Sequence, residues 1–368
     1  MRTKAAVLWG VNQKWEVEEV ELDGPKEHEV LVRLVASGLC HSDQHVVDGD
    51  MPMQPPMVGG HEGAGVVVDA GPGVTDVATG DHVVLSSVPA CGRCPACTRG
   101  ISNLCDLGAL MATGTQVDGT CRFHGRGQDI AQMCLLGTFS EYTVIPEASV
   151  IKLDPSVALD TAALLGCGVT TGYGSAVRAG DIREGDTVVV MGVGGVGVNA
   201  VQGARIAGAR VIVALDPVEY KRSRAPEFGA THVAASVDEA LQLVSDLTRG
   251  AMADVCVLTT DVAEGAYVAQ ALSLVGKRGR VVITAVGRAS DTRVDMSLLD
   301  LTLYEKQVRG TLFGSSNPRY DIPKLLDLYG SGQLKLDELI TREYALDEIN
   351  LGYDDMLSGR NLRGVIRY

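Results

Sequence analysis

Four cysteines lie close together in the sequence: Cys91, Cys94, Cys97 and Cys105. Their C-x2-C-x2-C-x7-C spacing lets one tight loop supply four thiolates to a single ion. Zn²⁺ prefers such a closed tetrahedron of sulfur ligands. The spacing therefore predicts a structural zinc site in a lobe spanning residues 91–105, and two disulfides or four unrelated thiols are the alternatives.

A closed four-sulfur site has no position for a substrate, so a catalytic metal would need other residues. Three glycine-flanked segments contain candidate ligands: GLCHSDQH at 38–45, GGHEGAG at 59–65 and LLGCGVTTGYG at 164–174. Cys167, in the last of these segments, is a third candidate ligand beside the cysteine and histidine of the first two. Taken singly each segment is weak evidence, because a buried cysteine is more often a small hydrophobe and a histidine is more often structural.

A different chemistry is indicated at 192–197, where GVGGVG follows an apolar strand and precedes a helical run. Glycines there permit a tight turn and let a pyrophosphate approach the backbone and the helix N-terminus. The predicted turn residues are Gly192, Gly194, Gly195, Val196 and Gly197.

Asp216 ends the next predicted strand, 19 residues after Gly197. A carboxylate at that position can accept both adenosine ribose hydroxyls and would repel a 2′-phosphate. The segment therefore predicts NAD rather than NADP, and a simple turn role for Asp216 before Pro217 is the alternative.

The pattern of elements predicts an α/β protein with two domains, which suits a chain of 368 residues. Residues 1–168 alternate in short strands, such as 30–36, 64–68 and 82–85, which indicates a β-rich domain. Residues 169–311 alternate strands and helices like a doubly wound parallel sheet, with strands at 186–191, 211–215, 253–258 and 280–285. A helix at 321–329 and a strand at 364–368 are expected to return the chain, from residue 312, to the first domain.

Composition excludes several functional classes. With 46% hydrophobic and 21% charged residues the chain has a globular composition, and no apolar run reaches the length of a membrane span. The N-terminus lacks the apolar region of a signal peptide, so we expect a cytoplasmic protein without a membrane partner. A net charge of −14 argues against nucleic-acid binding.

Taken together, the motifs resemble the zinc-dependent alcohol dehydrogenases of the medium-chain dehydrogenase/reductase superfamily. They comprise GLCHSD, GGHEGAGVV, the four cysteines, DGTCRFHGRG at 118–127, GTFSEYTV at 137–144, GCGVTTGYGSAV at 166–177 and GVGGVG. RTKAAVLW near the start and QMCLLGTFSEYTV are most similar to the actinobacterial nicotinoproteins, the dimethylnitrosoaniline-dependent alcohol dehydrogenases. The resemblance implies a GroES-like catalytic domain and a Rossmann coenzyme domain.

The resemblance also implies a catalytic zinc with an open fourth position, held by Cys40, His61 and Cys167. The known Cys₂His ligand set of alcohol dehydrogenase matches these residues. Each chain would then hold two zinc ions, one catalytic and one structural.

Four neighbouring residues receive catalytic roles from the same resemblance. Ser42 and His45 would pass the alcohol proton to solvent by way of the nicotinamide ribose, although a turn cap and a solvated surface imidazole are the alternatives. Asp43 would accept the second ring N–H of His61. Glu62 would lie behind the metal and ligate it transiently, or serve only as a buried ion-pair partner.

Coenzyme contacts outside the glycine turn are implied in the same way. Thr171 would pack against the nicotinamide, and Lys221 would contact the ribose. Arg363 and His41 would face the pyrophosphate; family members often have arginine in place of His41, so a weaker or pH-dependent contact is expected there.

The substrate pocket is read from the same family pattern. Ser87 stands where a bulky aromatic is common, which implies a wide inner pocket. Phe139 and the methionines of 51–57 are candidate apolar walls, with ordinary packing as the alternative for the methionines. Cys121, Cys134 and Cys256 belong to no motif and are expected to be buried hydrophobes.

The expected reaction is hydride transfer between a medium-chain or aromatic primary alcohol and NAD, with tightly bound NAD(H) recycled by an external redox acceptor. An ordinary NAD-exchanging alcohol dehydrogenase, a thiol-dependent formaldehyde dehydrogenase and a non-catalytic NAD-binding protein are the alternatives. A homodimer or homotetramer, associated through an edge strand near 306–313, is expected.

Overall fold

A computed structural model describes all 368 residues, and the chain divides into two units. Unit 1 comprises Met1–Cys167, Asn317–Leu328 and Leu336–Tyr368, and unit 2 comprises Gly168–Ser316 and Tyr329–Lys335. Residues 312–316 and 329–335, which the sequence pattern predicts in the first domain, fall in unit 2.

The β-strands are, in chain order, β1 Arg2–Leu8, β2 Glu16–Leu22, β3 Glu29–Gly38, β4 Met57–Val58, β5 Gly63–Ala70, β6 His82–Leu85, β7 Phe123–Gly125, β8 Gln128–Gln132, β9 Tyr142–Pro146, β10 Val150–Lys152, β11 Thr187–Met191, β12 Val211–Leu215, β13 His232–Ala234, β14 Ala253–Leu258, β15 Val275–Ile283, β16 Gln307–Gly310, β17 Ile340–Tyr344 and β18 Arg363–Arg367. The α-helices are α1 His41–Val47, α2 Pro95–Thr98, α3 Leu159–Ala163, α4 Gly168–Gly174, α5 Gly197–Ile206, α6 Glu219–Arg224, α7 Val237–Thr248, α8 Gly265–Leu274, α9 Leu298–Leu303, α10 Pro318–Gly330 and α11 Ile349–Leu357. None of the helices combines the length and apolar character needed to span a membrane.

Unit 1 is built from a closed five-stranded barrel and a seven-stranded sheet. The barrel order is β1-β2-β7-β8-β4, and the sheet order is β10-β6-β5-β3-β18-β17, with β9 also pairing with β3. Alternating apolar residues of these strands form the largest buried cluster, which includes Leu8, Val32, Leu85 and Phe139. The β-rich character expected for this part of the chain is confirmed.

Unit 2 contains a six-stranded parallel sheet in the order β13-β12-β11-β14-β15-β16. β11 and β12 are buried along their whole length, which explains their near-continuous valine, isoleucine and leucine content. Helices connect successive parallel strands, so the predicted doubly wound architecture is confirmed. The strand expected at 280–285 instead runs from Val275 to Ile283.

Strand pairing in unit 1 brings distant segments together. β3 and β5 pair with Ser37 opposite Gly63, and the Gly38 N–H donates to the Glu62 carbonyl at 2.9 Å. The chain therefore leaves β3 toward Cys40 beside the point where it enters β5 from His61. After β6, the Ser87 N–H donates to the Gly166 carbonyl at 3.0 Å, which holds the segment leading to Cys167 against the same sheet.

Candidate metal centres and coenzyme site

Three of these segments converge on one buried cluster in unit 1. The candidate ligand atoms of Cys40, His61, Glu62 and Cys167 all lie within 4.8 Å of one another. Two sulfurs and an imidazole nitrogen are donors that Zn²⁺ favours. The three side chains predicted to hold the catalytic metal are therefore adjacent.

The imidazole of His61 has one nitrogen engaged and one without a partner. Nδ1 lies 3.2 Å from Oδ1 of Asp43, which also accepts the Gly60 N–H at 2.9 Å. Nε2 is buried and makes no hydrogen bond. Because an unpartnered buried nitrogen is costly, Nε2 is the atom that fits a metal ion.

Electrostatics at the cluster favour bound cations. A hydrogen bond from the Cys167 thiol, together with the charge of His61, lowers the pKa of Cys40 well below its usual value despite burial. The same shared bond and burial raise the pKa of Cys167. Burial would lower the pKa of His61, but the nearby Asp43 and Cys40 charges raise it. Negative charge gathers here in an apolar interior, and a divalent cation would neutralise it.

Glu62 forms a buried ion pair with Arg363 at the back of the cluster. Gly38 allows this approach, because a Cβ at that position would meet the Glu62 carboxylate and the Arg363 guanidinium. The arrangement favours the ion-pair reading of Glu62. Arg363 contacts this carboxylate, and its expected contact with the coenzyme pyrophosphate stays a prediction.

α1 presents three more predicted residues immediately after Cys40. Ser42 Oγ lies 3.7 Å from Cys40 Sγ, and His41 is half-buried at the first position of the helix. His45 follows Ser42 by three positions, so both occupy one face of α1. His45 is only 5% exposed, and its Nδ1 lies 3.1 Å from Oδ2 of Asp50. The alternative of a solvated surface imidazole is therefore wrong.

The four-cysteine lobe also gathers its sulfurs. Cys91 and Cys97 have Sγ atoms 3.9 Å apart, as do Cys94 and Cys105. All four are free thiols, so the disulfide alternative is wrong, and about 3.8 Å is the edge of a tetrahedron with zinc–sulfur bonds of about 2.3 Å.

The lobe's electrostatics suit a metal as well. Backbone N–H groups of Asp106 and Cys97 lower the pKa of Cys94 to about 6, which supplies a thiolate ligand. Burial raises the pKa of Cys97 to about 12, so that thiol needs a cation to ionise.

In unit 2, the glycine turn joins β11 to α5. Gly192 has φ +89°, a left-handed conformation suited to glycine, and Gly197 approaches the Gly192 carbonyl too closely to accept a Cβ. A Cβ on Gly194 would meet only Lys221 Nζ, at 3.8 Å. The turn therefore leaves space above Gly194 where a phosphate could approach the backbone.

Asp216 stands at the end of β12, buried beside this turn. Its Oδ2 accepts the Val193 N–H at 2.9 Å, and its Oδ1 accepts the Val218 N–H at 2.8 Å. These bonds orient the carboxylate, and each oxygen keeps further acceptor capacity.

Thr171 lies on α4, where Gly172 allows the helix to approach the Val196 carbonyl in the glycine turn. Thr171 is thus held near the turn within unit 2. It lies in the middle of this helix.

Comparison with known proteins bears on both units. Residues 26–155 match the alcohol dehydrogenase GroES-like domain, and residues 195–331 match the zinc-binding dehydrogenase domain. The chain is 53% identical over 368 residues to the NDMA-dependent alcohol dehydrogenase of Amycolatopsis methanolica, covering 100% of this chain and 99% of the relative. It is 52% identical over 370 residues to alcohol dehydrogenase B of Mycobacterium tuberculosis, with the same coverage. The chain belongs to the zinc-dependent medium-chain alcohol dehydrogenase family.

A solved structure agrees with this alcohol dehydrogenase assignment. Benzyl alcohol dehydrogenase of Acinetobacter calcoaceticus aligns with a TM-score of 0.93 at 30% identity, covering 100% of this chain and 99% of that one. The predicted family, the GroES-like and Rossmann folds and the enzyme class are thereby confirmed. The family implies zinc and an NAD-type coenzyme.

The expected pocket walls of this dehydrogenase need correction. Phe139 is fully buried in the core, edge-on to Trp15 at 5.6 Å between ring centroids, rather than a pocket wall. Met53 and Met57 belong to the same core cluster, as the packing alternative proposed. Cys121, expected to be buried, is half-exposed.

Two residues near the metal cluster were missed from the sequence. Cys134, taken as an ordinary buried hydrophobe, lies close enough to His61 for the imidazole charge to act on it, while burial raises the pKa of the thiol to about 11. Tyr353 of α11 donates its hydroxyl proton to the Cys40 carbonyl at 3.5 Å. Neither belongs to a recognisable local motif, and only the tertiary fold brings each to the cluster.

Proposed function

We propose that this alcohol dehydrogenase oxidises a primary alcohol to its aldehyde at a zinc ion held by Cys40, His61 and Cys167, with NAD as hydride acceptor. The observation that carries the proposal is the convergence of these three donors within 4.8 Å, with Cys40 and His61 buried and His61 Nε2 unpartnered. A non-catalytic NAD-binding protein would have no need to retain this donor set.

The bound zinc supplies Lewis-acid chemistry, which stabilises the negative charge that develops on the alcohol oxygen. Asp43 holds the His61 ring through Nδ1 and so keeps Nε2 directed at the metal position. Ser42, beside Cys40, accepts the hydroxyl proton, and His45 passes it toward solvent in an orientation fixed by Asp50. NAD held at the glycine turn would serve as hydride acceptor for the alcohol carbon, so one proton and one aldehyde would be released for each coenzyme reduced.

The second zinc, held by the four-cysteine lobe, has a structural role in this proposal. Its four sulfurs fill a tetrahedron, so the lobe offers no open coordination position for substrate. NAD binds at the glycine turn of unit 2, where Asp216 selects against a 2′-phosphate.

The coenzyme further stays bound through the catalytic cycle, and an external redox acceptor reoxidises it. Similarity to the NDMA-dependent enzyme of Amycolatopsis methanolica supports this choice over exchange of NAD at each turnover. Similarity to a benzyl alcohol dehydrogenase supports aromatic primary alcohols as substrates.

One preparation of the dialysed full-length enzyme tests these proposals. We expect about two zinc ions and about one nicotinamide coenzyme per chain, with benzyl alcohol oxidised in the presence of an artificial acceptor but not of free NAD alone. The Cys40→Ser variant should lose one zinc ion and this activity. Cys256→Ser, which changes a buried thiol in β14, should keep both and serves as the matched control.

The outcomes separate the proposals. Undiminished activity in Cys40→Ser would contradict the zinc mechanism. Coenzyme-free protein that reduces added NAD would instead identify an ordinary NAD-exchanging dehydrogenase.

A further inference from the structure

Tyr353 is a buried tyrosine whose ring cannot easily turn. The residue is 4% exposed on α11, stacked on Trp15 at 6.2 Å and edge-on to Phe139 at 6.3 Å between ring centroids. Ile349 and Met356 bury the same face of this helix in the unit 1 core. Packing therefore fixes the direction in which the hydroxyl points.

That hydroxyl reaches the backbone and side chains of the metal cluster. It lies 3.5 Å from the carbonyl oxygen of Cys40, a long hydrogen bond, and it also interacts with the Asp43 carboxylate. A tyrosine hydroxyl carries one proton at neutral pH, so it can act as a hydrogen-bond donor at this position.

Asp43 has one carboxylate oxygen engaged and one available. Oδ1 bonds the Gly60 N–H and His61 Nδ1, whereas Oδ2 is fully buried without a hydrogen bond of normal geometry. An unpartnered carboxylate oxygen in an apolar core is expensive, and the carboxylate can rotate about its Cβ–Cγ bond unless both oxygens are held.

We propose that Tyr353 is a positioning residue of the catalytic zinc site, donating its hydroxyl proton to Asp43 Oδ2 and so orienting His61. The proposal rests on the zinc site assigned above. By holding the second oxygen, the hydroxyl keeps Oδ1 on His61 Nδ1 and Nε2 directed at the metal position. Because the hydroxyl has one proton, this bond replaces the long 3.5 Å contact with the Cys40 carbonyl. α11, more than 300 positions along the chain from Cys40, thereby contributes to metal retention.

Zinc release to a chelator from the zinc-loaded full-length enzyme tests this role. Cys40→Ser identifies the kinetic phase of the catalytic zinc, because that phase should be missing from this variant. Tyr353→Phe removes only the hydroxyl and should speed that phase about tenfold, the lower end of the range of about 10- to 100-fold seen when residues that support metal ligands are changed. The release phase of the four-cysteine lobe should keep its wild-type rate.

Tyr344→Phe is the matched control. Tyr344 is also buried in unit 1, and its hydroxyl donates to Asp355 Oδ2 at 2.7 Å, away from the metal ligands. This variant should lose a comparable hydrogen bond without changing either release phase. Equal effects of the two variants, or an unchanged catalytic phase in Tyr353→Phe, would overturn the proposal.

A second measurement does not depend on the variant folding. A crystal structure of the zinc-loaded wild type should show Tyr353 Oη within about 3.2 Å of Asp43 Oδ2. A separation beyond hydrogen-bonding distance would overturn the proposal while leaving the zinc mechanism intact. A wild-type enzyme without a phase sensitive to Cys40 would contradict the zinc assignment itself.

Discussion

Arg122 is a fully buried cation whose bidentate partner is distant in the sequence. Its Nε donates to Glu29 Oε2 at 2.8 Å and its Nη2 to Oε1 at 2.5 Å, a bidentate pair between residues 93 positions apart. Asp118 adds a second carboxylate at 3.1 Å. Breaking such a pair leaves a charge buried without a partner, which costs far more than loss of an exposed ion pair.

Arg122→Met should therefore lower the free energy of unfolding by about 3–5 kcal/mol, because Glu29 loses its buried partner. Urea unfolding of the zinc-loaded protein measures the change. Arg126→Met is the control: this exposed residue pairs with Glu16 and Glu18, and its loss should lower the free energy of unfolding much less, because water screens exposed ion pairs. Similar losses of unfolding free energy in the two variants would show that the buried ion pair stabilises the protein no more than the exposed one.

At the residue scale, the sequence predicted the chemistry of side chains better than their partners. The candidate metal ligands were indicated by the spacing of the cysteines and by the glycines that flank Cys40 and His61. The motif DGTCRFHGRG contains Arg122 but does not indicate its buried ion pair, because nothing local identifies Glu29 as its partner. The same holds for Tyr353, whose hydroxyl reaches Cys40 only after α11 packs on the core.

In the glycine turn between β11 and α5, the glycines meet different surroundings. A Cβ on Gly197 would collide with the Gly192 carbonyl, whereas a Cβ on Gly194 meets only the flexible end of Lys221. Gly197 thus serves close packing of α5, and Gly194 keeps space free for a ligand.

Gly194→Val should consequently fold with nearly wild-type stability but lose bound coenzyme by about tenfold or more, because the side chain occupies the space for the pyrophosphate. Nicotinamide extracted per chain and thermal unfolding, measured on the same preparation, check the two parts. Gly330→Val is the matched control in unit 2, since nothing lies within 4 Å of its Cβ position. Full coenzyme content in Gly194→Val would place the coenzyme elsewhere.

The bounds of strands and helices were harder to predict from the sequence than their types. The predicted bounds of β6, β12 and β14 match the structure, because apolar runs there end at clear turn residues. β15 begins at Val275, five residues earlier than expected. Gly276, Lys277 and Gly279 interrupt the apolar run, so the sequence pattern does not indicate a strand there. Tertiary pairing with β14 supplies the strand character that local propensity lacks.

For the whole molecule, the switch from short strands to alternating strands and helices was readable, and so was the return of the chain to unit 1. The residue at which the chain returns to unit 1 could not be read from the sequence. Residues 312–316 carry no composition change, and they fall in unit 2, where Gly314 meets the Thr171 carbonyl and Gly174 without room for a Cβ.

Association between whole molecules is expected at β16, which pairs only with β15 and so ends the six-stranded sheet. The neighbouring helix α9 exposes three leucines, Leu298, Leu299 and Leu303. An open strand edge beside an apolar surface favours pairing with a second copy, and a twofold axis would repeat the contact on both chains.

We therefore expect Leu299→Glu/Leu303→Glu to convert a homodimer or homotetramer to smaller species, raising the dissociation constant at least about tenfold because like charges would meet without water. Light scattering after size-exclusion chromatography measures the mass, and Leu357→Glu, which changes another exposed leucine, in unit 1, should leave it unchanged. If the double variant keeps the wild-type mass, the molecules associate through another surface.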